Sequence, residues 1–319
     1  MTGKKLVVLI DSDMGSSEIE LAACESAGLD FFDGRFASPE QLTTLLREAS
    51  GVLVQYRVVD EAFLDRCPRL LAIVTYGVGT DHIDTTAAAA RGIGVLPVRD
   101  YCVDEVADHT LALVLACMRR IVPLSLAVRS GVWPGTQDFG TLRTMRDSTY
   151  AVIGLGSIGQ AVAVRALAFG TAVCVHDPYV DAGLCESFGL TQVSLEDAFS
   201  CDIVSLHVPL MDSTAQMVTG RLLDRMPPHG ILVNVSRGGV IVEHDLLERV
   251  ESGRINAGLD VLTVEPPSDG DALASSHRVI ITPHVAWYST SAEDRLCAQA
   301  GTLMSRFLAE PLRNVKGTT

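Results

Sequence analysis

Five residues in the second half of the chain could together move a proton and hold an anion: His207, Arg237, Asp260, Glu265 and His284. An imidazole titrates near neutrality and can exchange a proton with a carbonyl oxygen. A guanidinium offers a planar fork of donors to a carboxylate. A carboxylate within reach of an imidazole favours its protonated form. Each residue follows an apolar run. His207-Val208-Pro209 comes after one, Asn234-Val235-Ser236-Arg237-Gly238-Gly239 after the next, and Thr282-Pro-His284 after the last; Asp260 and Glu265 share the loop Asp260-Val-Leu-Thr-Val-Glu265-Pro-Pro267. Such positions are carboxyl ends of strands, where α/β sheets bind ligands. Spacing alone does not choose between His207 and His284 as the proton donor.

What these groups would act beside is given by Tyr150-Ala-Val-Ile-Gly-Leu-Gly-Ser-Ile-Gly159. A buried strand runs into Gly154, Gly156 and Gly159, spaced G-x-G-x-x-G with Ser157 and Ile158 between the last two, and then into the helical run Gln160–Phe169. Gly154 permits the sharp turn, Gly156 lets backbone approach a pyrophosphate, and Gly159 lets helix pack on strand. The helix N-terminus adds free N–H groups and partial positive charge. A second strand, Ala172–His176, ends at Asp177, placed to accept hydrogen bonds from an adenosine ribose. A lone glycine fingerprint is weak; in this strand–helix–strand setting it specifies a dinucleotide.

The elements that must position these groups alternate along the chain. Strands are expected at Leu6–Ile10, around Phe31-Phe32, at Gly51–Tyr56, Leu70–Val74 and Gly94–Leu96, with helices between, including Pro39–Ala49 capped by Ser38. Gln55, Tyr56 and the Tyr76-Gly-Val-Gly79 turn fall at the ligand-binding edge of that first sheet. Asp104–Arg120 is a helix with apolar residues nearly all round, so it is buried on more than one side. Residues 121–147 read as less regular and suited to wrapping a neighbouring subunit. Six further strands are expected near 150–153, 172–176, 202–206, 231–235, 255–260 and 279–281. Ala292–Glu310 is a helix long enough to return to the first domain. The expected fold is α/β, with two doubly wound parallel-sheet domains. A Rossmann dinucleotide-binding domain (100–288) is inserted in a smaller flavodoxin-like substrate domain (1–99 and 289–319).

Length and composition agree. A chain of 319 residues exceeds one ordinary domain, and 48% hydrophobic content supports large cores. The net charge of −14 argues against nucleic acid or an acidic membrane as partner. Eight scattered cysteines without a C-x-x-C pair read as buried thiols of a reducing cytoplasm, and no metal-ligand spacing occurs. The apolar N-terminal run is too short for a signal peptide, and the longest uncharged apolar run, Thr110–Met118, is far below a membrane span.

Taken in order and spacing, several motifs resemble the D-isomer-specific 2-hydroxyacid dehydrogenase family. They are Tyr76-Gly-Val-Gly-Thr-Asp-His-Ile-Asp84, Asp104-Glu-Val-Ala-Asp108, Gly154–Gly159, His176-Asp-Pro-Tyr179, Leu206-His-Val-Pro-Leu210, Val233–Gly239, Gly258-Leu-Asp-Val261 with Glu265-Pro266, and Ile281-Thr-Pro-His284. Tyr101–Asp108 and His284–Ser289 look closest to the branch of the C-terminal binding protein corepressors. The resemblance implies NAD(H)-dependent interconversion of a 2-oxo acid and its D-2-hydroxy acid. His284 would be the acid and base, Glu265 its partner, and Arg237 the carboxylate clamp. Backbone groups of Val78 and Gly79 would bind the substrate carboxylate, with Tyr76, Gln55 and Trp287 bounding the side-chain pocket. His207, Val208, Pro209, Thr214, Val235 and Ser236 would line the cofactor, and Asp260 would meet the nicotinamide carboxamide. Asp177, with no adjacent arginine, favours NAD over NADP. The family also implies a homodimer formed through the cofactor domain. Two alternatives remain: a dinucleotide-sensing corepressor-like scaffold with vestigial catalysis, motivated by Trp287, and a phosphite-type small-anion dehydrogenase.

Overall fold

The run Leu6–Leu9 is four apolar residues of high strand propensity, and it forms the first strand (β1) with its Val7 and Val8 fully buried. In the computed structural model, which describes residues 4–140 and 142–309, four more parallel strands join it. These are β2 (Asp30–Asp33), β3 (Ala49–Val54), β4 (Ala72–Thr75) and β5 (Gly94–Pro97), in the order β2-β1-β3-β4-β5. Buried parallel strands need apolar residues on both faces, and β3 and β4 supply them with Val52, Leu53, Val54, Ile73 and Val74 fully buried. The helix Pro39–Glu48 starts as its sequence dictates. Ser38 Oγ accepts the N–H of Gln41 and the Gln41 side chain accepts the N–H of Ser38.

The long helix Thr290–Ala309 packs on this same sheet. Met304 lies over Gly51 and Phe307 over Gly94, and in neither place is there room for a Cβ. The expected last residue of that helix, Glu310, lies outside the described residues. These elements form one compact unit, Met1–Tyr101 with Ser289–Thr319; Cys102–Tyr288 form the other.

The second unit has seven parallel strands: β6 (Thr149–Ile153), β7 (Ala172–His176), β8 (Thr191–Gln192), β9 (Ile203–Leu206), β10 (Gly230–Asn234), β11 (Ile255–Leu259) and β12 (Val279–Ile281). Their order is β12-β11-β10-β9-β6-β7-β8. The order reverses between β6 and β9, and the crevice outside such a switch point is where doubly wound sheets bind ligands. The helix Val103–Met118 is buried along Val106, Ala107, Thr110, Leu111, Leu113, Val114, Cys117 and Met118. It packs so closely on β11 that a Cβ on Gly258 would stand 3.0 Å from Leu113 Cβ.

Two features depart from the sequence reading. The sheet has a seventh strand, β8, whose two exposed residues carry no hydrophobic pattern and which is held by pairing with Cys174 and Val175. Within the stretch expected to be irregular, Ile121–Arg129 is a helix, with Pro123 near its start where a missing N–H costs nothing. No single described helix is long and apolar enough to cross a membrane.

Candidate active site

Gly154 adopts φ +92°, and a Cβ there would come within 2.8 Å of the His207 carbonyl oxygen. Only glycine allows both the turn and this approach of β6 to the end of β9. At Gly159 a Cβ would overlap the carbonyl oxygen of Gly154, whereas around Gly156 nothing lies within 4 Å. Helix and turn are thus pressed together on one side and open on the other. The open side is the N-terminus of the helix Ser157–Ala168, with Gly156 and Ser157 exposed and Ile158 half-buried. Asp177, just past β7, accepts the Leu155 N–H at 2.8 Å and the Tyr179 N–H at 2.9 Å. The cradle therefore suits a dinucleotide by its space, its N–H groups and its acidic neighbour.

The polar ends of β9, β10 and β12 are set by the strands that carry them. His207 Nε2 is 2.8 Å from Ser205 Oγ, its Nδ1 is buried without a protein partner, and burial pushes its pKa down to about 3. An imidazole held neutral to that point cannot serve as an acid near neutrality. Burial therefore counts against His207 in the choice of proton donor that spacing left open. Val208 and Pro209 continue from it, and Thr214 Oγ donates to the Pro209 carbonyl at 2.6 Å and accepts the Met211 N–H at 2.9 Å, closing that loop.

At the end of β10, Asn234 is fully buried and organises the turn after the strand. Its Oδ1 accepts the N–H and the hydroxyl of Ser236, and its Nδ2 donates to the Arg237 carbonyl at 2.9 Å. Val235 packs against the apolar core, and the Arg237 guanidinium donates to the Ser236 carbonyl at 2.7 Å. Next to it, Gly238 lies directly on the backbone of Leu262 and Thr263, where any Cβ would overlap. That contact brings the Arg237 segment against the loop that bears Glu265.

Glu265 meets His284 at the centre of this arrangement. His284 Nδ1 is 2.6 Å from Glu265 Oε2, and Glu265 Oε1 accepts the Leu262 N–H at 2.7 Å. Burial pushes the Glu265 carboxyl up. The bonds from His284 and Leu262, with the positive charges of His284 and Arg237, outweigh it and hold the pKa below the usual value. The His284 side chain stays 40% exposed, so a ligand can reach its ring. Its backbone is left-handed, at φ +52°, within a turn anchored from beneath. Asp260, 2% exposed, accepts the Thr282 hydroxyl at 2.5 Å, the Val285 N–H at 3.0 Å and the Ala286 N–H at 2.9 Å. His109 Nε2 stands 3.0 Å from Thr282 Oγ and 3.6 Å from Asp260.

Three of the expected site residues also make bonds within the fold. Asp260, expected at a nicotinamide, is buried with its carboxylate engaged in holding the His284 turn. In the first unit, Tyr76 is buried with its hydroxyl 2.6 Å from the buried Glu20, and Gln55 is buried with its amide bridging Asp13 N and the Tyr56 hydroxyl. Their side chains brace their own unit. Val78, by contrast, is 49% exposed at the turn after β4, with Gly79 half-buried beside it. Trp287 is half-buried and meets Tyr288 edge-on at 5.4 Å. Sequence reasoning did not find His109 or Glu20, because each sits in a helical run with no spacing signal of its own. Among the described residues no group of His, Cys, Asp and Glu could hold a metal.

Comparison with known proteins agrees with this geometry. The model for the D-isomer specific 2-hydroxyacid dehydrogenase NAD binding domain matches residues 111–286. The chain is 34% identical over 286 residues to a glycerate dehydrogenase of Methylorubrum extorquens, spanning 87% of this chain and 88% of that protein. It is 34% identical over 297 residues to a D-3-phosphoglycerate dehydrogenase of Mycobacterium leprae, covering 91% of this chain and 54% of that protein, about half its length. A solved D-lactate dehydrogenase of Aquifex aeolicus, complexed with NAD and lactic acid, superposes with TM-score 0.84 over 95% of each chain at 26% identity.

Proposed function

This chain belongs to the D-isomer specific 2-hydroxyacid dehydrogenase family, and from that premise we propose that it interconverts a small 2-oxo acid and its D-2-hydroxy acid with NAD(H). The observation that carries the reading is the 2.6 Å contact between His284 Nδ1 and Glu265 Oε2, with the Arg237 charge felt at the same carboxylate. A dinucleotide held by the glycine turn would supply or accept the hydride at C2. His284 gives the carbonyl oxygen its proton through Nε2 in reduction and takes it back in oxidation. Glu265, bonded to Nδ1, fixes the ring orientation and stabilises the imidazolium. Arg237 binds the substrate carboxylate and draws electron density from the adjoining carbonyl. Asp260 and Thr282 hold the turn so that the ring is in place before substrate arrives.

In the first unit, the backbone N–H groups of Val78 and Gly79 are assigned to the substrate carboxylate. In the second, Gly154, Gly156, Ser157, Ile158 and Gly159 are assigned to the pyrophosphate, Asp177 to the adenosine ribose, and residues 207–209, Thr214, Val235 and Ser236 to the cofactor. Asp177 disfavours a 2′-phosphate, so NAD is the cofactor assigned over NADP. A homodimer through the cofactor domain fits the exposed apolar surface of Ile121, Leu126, Val128 and Trp133, the last 86% exposed. The unpaired state of all eight cysteines fits the cytoplasm.

The test is NADH oxidation across a panel of 2-oxo acids by wild type and His284→Ala. A 2-oxo acid turned over by the wild type and lost in the variant is the expected result; equal rates in both would overturn it.

A further inference from the structure

Among the described residues, one pair of cysteines brings its sulfurs together: Cys174 Sγ and Cys201 Sγ are 3.4 Å apart. They are 27 positions apart in the chain and belong to different elements. Cys174 is the middle residue of β7, and Cys201 closes the turn that leads into β9. These two strands flank β6, whose end is the glycine turn. Both sulfurs lie on the face of the sheet covered by Leu195, Ala198 and Phe199, in a core of apolar side chains. Cys174 is half-buried and Cys201 is 9% exposed, so the pair lies just beneath the surface, within reach of a small oxidant.

The contact lowers the Cys201 pKa against the opposing effect of burial, and the same contact and burial raise that of Cys174. The other buried thiols behave differently. Burial pushes Cys24 and Cys67 up to about 11 and Cys117 up to about 12, which keeps them protonated and inert.

We propose that Cys174 and Cys201 form a peroxide-reactive dithiol whose oxidation to a disulfide weakens dinucleotide binding. The Cys201 thiolate attacks one oxygen of hydrogen peroxide, the O–O bond breaks, and the other oxygen leaves as hydroxide, which is protonated to water; Cys201 becomes a sulfenic acid. The Cys174 sulfur then attacks that sulfur, the S–S bond forms, the S–O bond breaks, and the Cys174 proton leaves with the hydroxyl as a second water. Each sulfur loses one electron, and the peroxide gains two. A disulfide requires the sulfurs to close from 3.4 Å to about 2.05 Å. In a close-packed core a movement of that size cannot be absorbed by the side chains alone. It is passed along β7 to Asp177, three residues on, whose 2.8 Å bond to the Leu155 N–H ties β7 to the glycine turn.

The experiment uses the full chain, with hydrogen peroxide as oxidant and NADH fluorescence as the binding readout. Denatured thiol titration should fall from eight to six after treatment, peptide mapping should show a 174–201 link, and dithiothreitol should reverse both. The NADH Kd of the oxidised protein should rise about tenfold, the equivalent of one hydrogen bond to a charged group. Cys201→Ser should keep seven thiols and an unchanged Kd through the same treatment, and Cys174→Ala should form no disulfide. Eight thiols surviving in the wild type, or a link mapped elsewhere, would overturn the site, and neither outcome needs a variant to fold. A 174–201 disulfide with unaltered NADH affinity would overturn its coupling to the cofactor. Neither the thiol count nor NADH binding depends on which oxo acid is the substrate, so a failure here is separable from failure of the proposed reaction.

Discussion

His284 Nδ1 lies 2.6 Å from Glu265 Oε2, while the other oxygen of that carboxylate takes the N–H of Leu262. The acid is thereby fixed at two points and the imidazole at one, which leaves Nε2 as the atom free to face a substrate. His284→Ala removes the group that moves the proton. It should lower kcat by about 10²- to 10⁴-fold and leave NADH affinity intact, measured by stopped-flow turnover beside a fluorescence titration. Parallel losses in both would point to a structural defect instead.

Glu265→Gln keeps the shape of the pair and removes its charge. The rate of 2-oxo acid reduction should fall, because the imidazole loses the charged partner that fixes its orientation. Stability should respond too. The Glu265 carboxyl is held below its usual pKa in the folded state, so its contribution is present above the ordinary carboxylate range and is lost as pH falls through the lowered value. Turnover assays and acid melting curves of the two proteins check both.

Burial lowers the His207 pKa, the opposite of what an acidic partner does to a histidine. Burial takes it from an ordinary value of 6.5 to about 3, so the unfolded chain binds its proton first. Its neutral, buried state is therefore stabilising relative to acid conditions above about pH 6.5, and that advantage is eroded as pH falls toward 3. His207→Gln should flatten the loss of stability between those limits, read from urea midpoints across the range. An unaltered slope would show that the ring is solvated.

Gly238→Ala asks for a methyl group where the backbone of Leu262 already lies. Backbone cannot swing aside as a flexible side chain can. The substitution should cost about 3 kcal/mol or more of stability, at the upper end of overpacking effects, and should lower kcat by displacing Glu265. Gly156→Ala, which meets nothing within 4 Å, should spare stability and weaken NADH binding alone. Thermal melts and NADH titrations of the two variants separate the cases.

Asp177→Ser should raise the kcat/KM ratio of NADPH to NADH, because it removes the carboxylate a 2′-phosphate would face. It also removes the acceptor of the Leu155 N–H, so absolute NADH affinity should fall as well. An unchanged ratio would dissociate Asp177 from the ribose.

The sequence alone determined the elements and the chemistry on offer. Apolar runs ending in polar residues declared the parallel strands, Ser38 with Gln41 declared a helix start, and three glycines before a strand ending in Asp177 declared the cradle. These signals are local: a strand needs its own apolar residues, and a tight turn needs its own glycine. Tertiary structure decided what no spacing encodes. It set apart the two histidines, because burial is a property of neighbours supplied by other strands. It turned Asp260 into the anchor of the His284 turn and recruited His109 and Thr282 to it, from a helix and a strand end far apart in the chain. It also brought two of eight scattered cysteines to 3.4 Å across β6. Desolvation, charge pairing and close approach all depend on which residues fold against one another, and that information is distributed over the whole chain.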